Sequence, residues 1–192
     1  MTARLNDPQG EAASTLLTEA LQLLGRKNLS EGELRARLRV QFHGGSGTAG
    51  ADNVQKKAWS GGEPEDFSAA LDAVIERLQD WGYLNDRRLC DALVAKMSGN
   101  AAHGPAWIRQ KLRSRMIPDE LVQIALSGAD AGDGQTETAL SLVRRKFGQG
   151  GTVDRARMAR FLSGRGFSAG TVGKVLARFG EECHDNQQFE DE

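Results

Sequence analysis

The residues of this chain with the clearest chemical capacity are cations set in a repeating order. Arg35, Arg37 and Arg39 interleave with Leu34 and Leu38. Arg109, Lys111, Arg113 and Arg115 interleave with Ile108 and Leu112, and Arg155, Arg157 and Arg160 flank Met158 and Leu162. Arg144, Arg145 and Lys146 close another helical stretch, and Arg165 follows Leu162 in a turn. A basic residue that recurs at one register of stacked helices makes a positive stripe. Such a stripe gains free energy by releasing counterions from a phosphate backbone or by meeting an acidic protein groove. Taken singly, each of these side chains also reads as a good helix former on a solvated face. As a set they favour binding, because no ladder of acids accompanies them on the same helices.

Aromatic residues add a little to this. Trp107, next to Gly104-Pro105, has the position to stack on a base or to anchor a protein contact, with core packing as the equal alternative. Trp81, at a helix end before Gly82, is expected in the core. Trp59 falls in a loose insertion.

Catalytic arrangements are missing from the sequence. The glycine-rich runs Gly44–Gly50 and Gly148–Gly151 lack the Gly-Lys-Ser/Thr ending of a phosphate loop. His43, His103 and His184 stand apart, no Cys/His pair has zinc spacing, and no nucleophile lies beside a base. No catalytic residue, cofactor or metal is therefore expected. Cys90 reads as a buried small hydrophobe, and Cys183 with His184 as part of a polar tail.

The elements that carry the cations repeat with them. Ile108/Leu112 and Met158/Leu162 are 50 positions apart, as are Val122/Leu126 and Val172/Leu176. A period this long means stacked supersecondary units. Leu34/Leu38 and Val74/Leu78 form a third copy, widened by about 26 residues between His43 and Phe67. A leading helix repeats as Leu17/Ala20/Leu24, Cys90/Leu93/Met97 and Leu140/Val143/Phe147, each an i, i+3, i+7 stripe. No segment alternates with period two, so strands are not expected. Ser30 with Glu33 is a capping box, and Gly104-Pro105 opens the equivalent later helix. Pro118-Asp119-Glu120 opens another, with acids at the positive end of its dipole. Gly25, Gly82, Gly148 and Gly180 are placed as helix C-caps.

The expected organisation is all-α, a tandem array of three three-helix repeats. Residues 1–15 are read as a flexible N-terminus. Repeat 1 spans 16–84 with a loop insertion at about 43–67, repeat 2 spans 85–127, and repeat 3 spans 136–180. Residues 181–192 are read as an acidic disordered tail. The 192 residues carry a formal charge of −1, but it is unevenly spread. Residues 70–180 hold 17 Lys/Arg against 11 Asp/Glu, whereas 181–192 hold 6 acids and no base. With no signal-like start and no long apolar run, a cytoplasmic, monomeric protein without membrane contact is expected.

A family resemblance then enters through particular residues. Gly82-Tyr83-Leu84-Asn85-Asp86-Arg87-Arg88-Leu89, followed by Gly104-Pro105-Ala106-Trp107-Ile108-Arg109-Gln110-Lys111-Leu112 and Met116-Ile117-Pro118, resembles the RecX regulatory proteins of bacteria, with their "GYLxDxRF" and "GPxxIxxxLxxxGI" segments. The resemblance covers roughly residues 15–180. It implies an elongated, curved array of three-helix units that lies in the groove of the RecA filament on single-stranded DNA. It implies inhibition of recombinase, ATPase and co-protease activities, by blocking filament extension or promoting disassembly. The implied partners are RecA, its nucleoprotein filament and single-stranded DNA, with weaker contact to duplex DNA. The chain departs from the pattern at Leu89, at Ala106-Trp107, at Met116 in place of Gly, and in the insertion. Two rivals are a helix-turn-helix DNA-binding module and a helical protein-binding scaffold. The first expects polar readers on each third helix, where this sequence is mostly apolar or small.

Overall fold

A computed structural model describes residues 8–43, 59, 64–99, 102–127, 133–148 and 154–188. The described residues form helices and turns without strands. The order is α1 (Pro8–Arg26), α2 (Glu31–His43), α3 (Pro64–Asp80), α4 (Asp86–Ser98), α5 (Pro105–Arg113), α6 (Asp119–Ser127), α7 (Asp133–Phe147), α8 (Arg155–Gly164) and α9 (Ala169–Gln188). Three successive triplets of helices follow the sequence periodicity. The chain divides into two compact units, Met1–Leu89 with Arg115–Ile117, and Cys90–Ser114 with Pro118–Glu192.

In the first unit, α1, α2 and α3 bury Leu16, Ala20, Leu34, Leu38, Phe67, Leu71, Ile75 and Leu78 together. The stripe on α1 runs through Ala12, Leu16 and Ala20, and Leu17 and Leu24 are only partly buried against it. The sequence phase was thus one position off, because Leu16, Leu17, Leu23 and Leu24 offer two overlapping i, i+3/i+4 stripes. The insertion is also shorter than its sequence limits. His43 ends α2 and residues 64–67 begin α3, with Phe67 in the core. Trp59 is not loose: its ring meets Phe67 edge-on, with centroids 5.1 Å apart. Gly44–Gly50 lies outside the described residues.

In the second unit, Leu140, Val143, Met158, Leu162, Phe167, Val175 and Phe179 form the core of α7–α9. Cys90 and Met97 are buried on α4, Ile108 and Leu112 on α5, and Val122 and Leu126 on α6. α7 begins at Asp133 rather than 136, and α1 already begins at Pro8. α9 runs through Gly180 to Gln188, and Gly25 lies inside α1, so neither glycine is a C-cap. A single glycine costs a helix only about 1 kcal/mol, less than the flanking helix formers and the packing of Phe179 return. Much of the acidic stretch 181–192 is therefore helical. Residues 189–192 and the side chains of Cys183 and His184 lie outside what is described. Gly82 and Gly148 do take the left-handed conformation expected of caps, with φ of 76° and 81°.

One junction geometry occurs twice, once in each unit. In the first, Ser30 caps α2: Glu33 N–H donates to its Oγ at 3.1 Å, and Ser30 N–H donates back to Glu33 Oε2 at 3.1 Å. The same Ser30 hydroxyl donates to the Arg115 carbonyl in the turn after α5. In the second, Gly104 N–H donates to the Arg165 carbonyl at 2.8 Å and Ala106 N–H to the Gly166 carbonyl at 3.2 Å, in the turn after α8. A start of a second helix thus meets a turn before a third helix, and otherwise orphaned N–H groups gain partners. Space is tight at both. A Cβ on Gly32 would sit 2.5 Å from that of Met116, and one on Gly166 would sit 2.6 Å from that of Trp107. Met116 and Gly166 occupy the same repeat position and both have positive φ, 53° and 83°.

Candidate functional site

The structure divides the basic residues into those spent on structure and those left at the surface. Arg115 belongs to the first group. Its guanidinium forks onto Glu33, Nη2 to Oε2 at 2.7 Å and Nε to the carboxylate at 3.1–3.2 Å, and Nη2 also donates to the Asn28 carbonyl. The two side chains are only 13% and 16% exposed. Burial pushes the Glu33 carboxyl up, but hydrogen bonds from Arg115 and the Ser30 N–H, with the Arg115 charge, outweigh it and hold it below the usual range. Nearby, Asp86 accepts the Glu31 N–H at 2.9 Å and is pushed up, mainly by burial and then by Glu31 and Glu33.

Arg35 pairs with Glu31 at 2.7 Å and with Asp72 on α3. Arg113 forks onto Asp119 at 2.7 Å and 3.2 Å. Arg144 reaches Glu137 at 3.7 Å, and Arg160 approaches Asp154 at 4.0 Å. The ladder is therefore not the uniform row of cations that the sequence suggests. Some of its acids lie on the same helix or at its cap, as Glu31, Glu137 and Asp154 do, and others come from a neighbouring helix or the next helix start, as Asp72 and Asp119 do, positions invisible to a scan along one helix. Arg39, Lys111, Arg145 and Arg155 remain exposed, and Arg37 is half-buried.

Arg157, Lys146 and Arg165 gather on the third repeat. Phe147 and Phe161 meet edge-on with centroids 5.7 Å apart. Lys146 Nζ lies 5.0 Å from the Phe161 centroid, Arg165 Cζ 5.2 Å from the same ring, and Arg157 Cζ 6.0 Å from that of Phe147. Two rings thus carry three cations, Lys146 and Arg165 on Phe161 and Arg157 on Phe147, each attracted by a ring quadrupole. Within the same unit a cavity of about 390 Å³ is lined by Arg109, Gln135, Ser168, Thr171 and Lys174. Trp107 is half-buried, stacked on His103 at 3.7 Å and 8°. Burial, and next the Arg165 charge, lower the His103 pKa. Its Nδ1 is buried without a hydrogen-bond partner among the described residues.

Sequence reasoning missed one surface in the first unit. Trp81 is 50% exposed and Tyr83 61%. Trp81 continues the Leu71/Val74/Leu78 stripe, which is why periodicity assigned it to the core. Gly82 supplied the contrary signal, because a left-handed residue there ends the helix, and Trp81, whose N–H still donates to the Arg77 carbonyl at 3.0 Å, stands half exposed at its last turn. Among the described residues, no three His, Cys, Asp or Glu side chains gather as metal ligands, and no helix is long and apolar enough to cross a membrane.

The arrangement so far is one of repeated three-helix units carrying basic and aromatic surface groups. Known proteins share the three-helix units. Residues 85–126 match the model of the RecX second three-helix domain, and residues 133–176 that of the RecX third three-helix domain. A "Regulatory protein RecX" of Thermus thermophilus is 34% identical over 159 residues, covering 83% of this chain and 88% of that protein. The chain belongs to the RecX family. A RecX protein of Xanthomonas campestris is 32% identical over 168 residues, covering 86% of this chain and 87% of its own. The crystal structure of RecX from Lactobacillus salivarius superposes with a TM-score of 0.65 at 16% identity, over 89% of this chain and 98% of that one. At that identity the likeness speaks for the fold. The RecX helical repeats thus account for the 50-residue period, and the relatives carry the name of regulatory proteins.

Proposed function

We propose that this protein is a non-enzymatic regulator that binds the RecA–single-stranded-DNA filament and lowers its recombinase, ATPase and co-protease activities. The binding blocks filament extension or promotes disassembly, and the protein works as a cytoplasmic monomer. Family membership supports RecA as partner. The observation that carries the contact surface is the cluster of Lys146, Arg157 and Arg165 on the Phe147–Phe161 pair. Cations held over aromatic rings offer fixed charge to phosphate oxygens and stem area to bases or protein. The exposed Arg39, Lys111, Arg145 and Arg155 extend the basic surface. Arg35 and Arg115 act through architecture, since their largely buried guanidinium groups already meet carboxylates, whereas Arg113 stays more than half exposed beside Asp119 and belongs to the basic surface.

The test is binding to RecA filaments assembled on oligo(dT) with a slowly hydrolysed ATP analogue. Replacing Lys146, Arg157 and Arg165 together by Ala weakens binding by about tenfold or more and flattens its salt dependence. Unchanged affinity and slope for a variant of unchanged helicity would remove this surface from the contact.

A further inference from the structure

The corner between α3 and α4, in the first unit, carries two large aromatic rings that its fold does not use. Trp81 and Tyr83 stand edge-to-face with centroids 6.4 Å apart, and Arg77 Cζ lies 5.1 Å from the Trp81 centroid. The backbone beneath them is fixed. Gly82 N–H donates to the Gln79 carbonyl and Tyr83 N–H to the Leu78 carbonyl, both at 2.9 Å. This is the paired-bond helix ending that a left-handed glycine allows. Leu84 N–H also donates to Leu78 at 3.2 Å, and the Leu84 side chain is buried in the first core. The turn is thus anchored on both sides of the rings while half of Trp81 and more of Tyr83 stay in water. Exposed rings on a fixed turn lose little conformational entropy when something covers them.

The surroundings decide what that something is. The exposed neighbours along the chain are Gln79, Asp80, Asn85, Arg87 and Arg88, with Arg77 on the ring itself. A protein interface also favours Trp, Tyr and Arg, but its buried centre is otherwise depleted of charged residues. Of these neighbours Arg77, Arg87 and Arg88 outnumber Asp80, and Gln79 and Asn85 add amides. That is the composition of a single-strand platform, where bases stack on aromatic faces and cations follow the backbone. Paired bases are closed to such stacking, so a duplex does not fit.

We propose that Trp81 and Tyr83, with Arg77, form a stacking platform for the unpaired bases of single-stranded nucleic acid. This rests on the reading above in taking single-stranded DNA as a partner, and assigns a direct contact to it. The deciding arm, oligo(dT) against the protein by itself, contains no RecA, so its outcome is separable from the fate of that reading.

In a variant with Trp59→Phe and Trp107→Phe, Trp81 is the remaining tryptophan. Oligo(dT) of about 20 nucleotides, longer than one small domain's site, is expected to quench its fluorescence. An abasic phosphodiester oligomer of equal length is not. In the otherwise unaltered protein, Trp81→Ala and Tyr83→Ala each weaken binding of labelled oligo(dT), measured by anisotropy, by roughly tenfold, since stacking on one ring is worth about 1–3 kcal/mol. The salt slope stays the same, because no phosphate contact is removed. Equal quenching by the abasic oligomer, or unchanged affinity of folded Trp81→Ala, overturns the proposal. Quenching by RecA alone with none by oligo(dT) also overturns it, and makes the corner a protein-docking surface.

Discussion

The Glu33–Arg115 pair allows a magnitude to be worked from the structure. Glu33→Gln keeps the side-chain shape and an acceptor for the Ser30 N–H but removes the charge facing Arg115. Breaking a buried ion pair from one side costs about 3–5 kcal/mol, because the remaining charge is left unpaired. Two features lower that figure. About one-seventh of each side chain is exposed, and Arg115 keeps the Asn28 carbonyl. The expected loss is about 2–3 kcal/mol for the first unit. With ordinary denaturant sensitivity this moves the urea midpoint down on the order of 1 M, read by far-ultraviolet circular dichroism. Removing both charges, Glu33→Gln with Arg115→Met, is expected to cost less than the two single changes added together, by about 2 kcal/mol. A Glu33→Gln protein within about 0.5 kcal/mol of its parent, or strict additivity in the double variant, would refute the view that this pair locks the turn after α5. It would also return Arg115 to the pool of surface cations.

Three further outcomes are expected. Gly166→Ala destabilises the second unit by about 2–3 kcal/mol, from left-handed strain and overlap with Trp107, whereas Met116→Gly at the matching position is neutral or stabilising by up to about 1 kcal/mol; thermal unfolding of both variants checks this. Acid acts on the two units through different groups. The lowered His103 pKa means a contribution that is complete above its unfolded pKa of about 6.5 and is lost as pH falls through the folded value; the lowered Glu33 pKa gives a loss at lower pH, below about 4.3, while the raised Asp86 pKa opposes it because the folded state takes up that proton more readily. Melting temperatures across that range are therefore expected to fall first with His103, and His103→Gln should remove the upper step. Cys90→Ser, at a fully buried position, costs about 1–3 kcal/mol, because the shorter C–O bond draws the more strongly hydrated hydroxyl away from the Leu121 carbonyl that the thiol faces at 3.8 Å, and a denaturant midpoint reads it.

Much of the architecture could be read from spacing. Leu34/Leu38, Ile108/Leu112 and Met158/Leu162 are all within 2% of full burial, because a 3.6-residue period repeated in stacked units has one way to close its core. The Ser30–Glu33 capping box and Pro105 helix start formed as written, being local chemistry. What escaped was whatever depends on the third dimension. Glu33 finds Arg115 across 82 positions and Asp72 finds Arg35 across 37, so a basic ladder on paper became partly a set of structural ties. Trp81 escaped because helical phase and a capping glycine gave opposite signals, and the glycine won. The end of α9 escaped for the reverse reason, since Gly180 did not stop a helix whose neighbours favour it.

The most direct measurement of the central claim is RecA's single-stranded-DNA-dependent ATP hydrolysis, titrated with this protein from far below one molecule per RecA. A filament regulator is expected to inhibit at strongly sub-stoichiometric ratios, with the Lys146, Arg157 and Arg165 triple variant needing more protein for the same effect. Unaltered hydrolysis across the whole titration, with the protein shown to be folded and helical, would contradict the account.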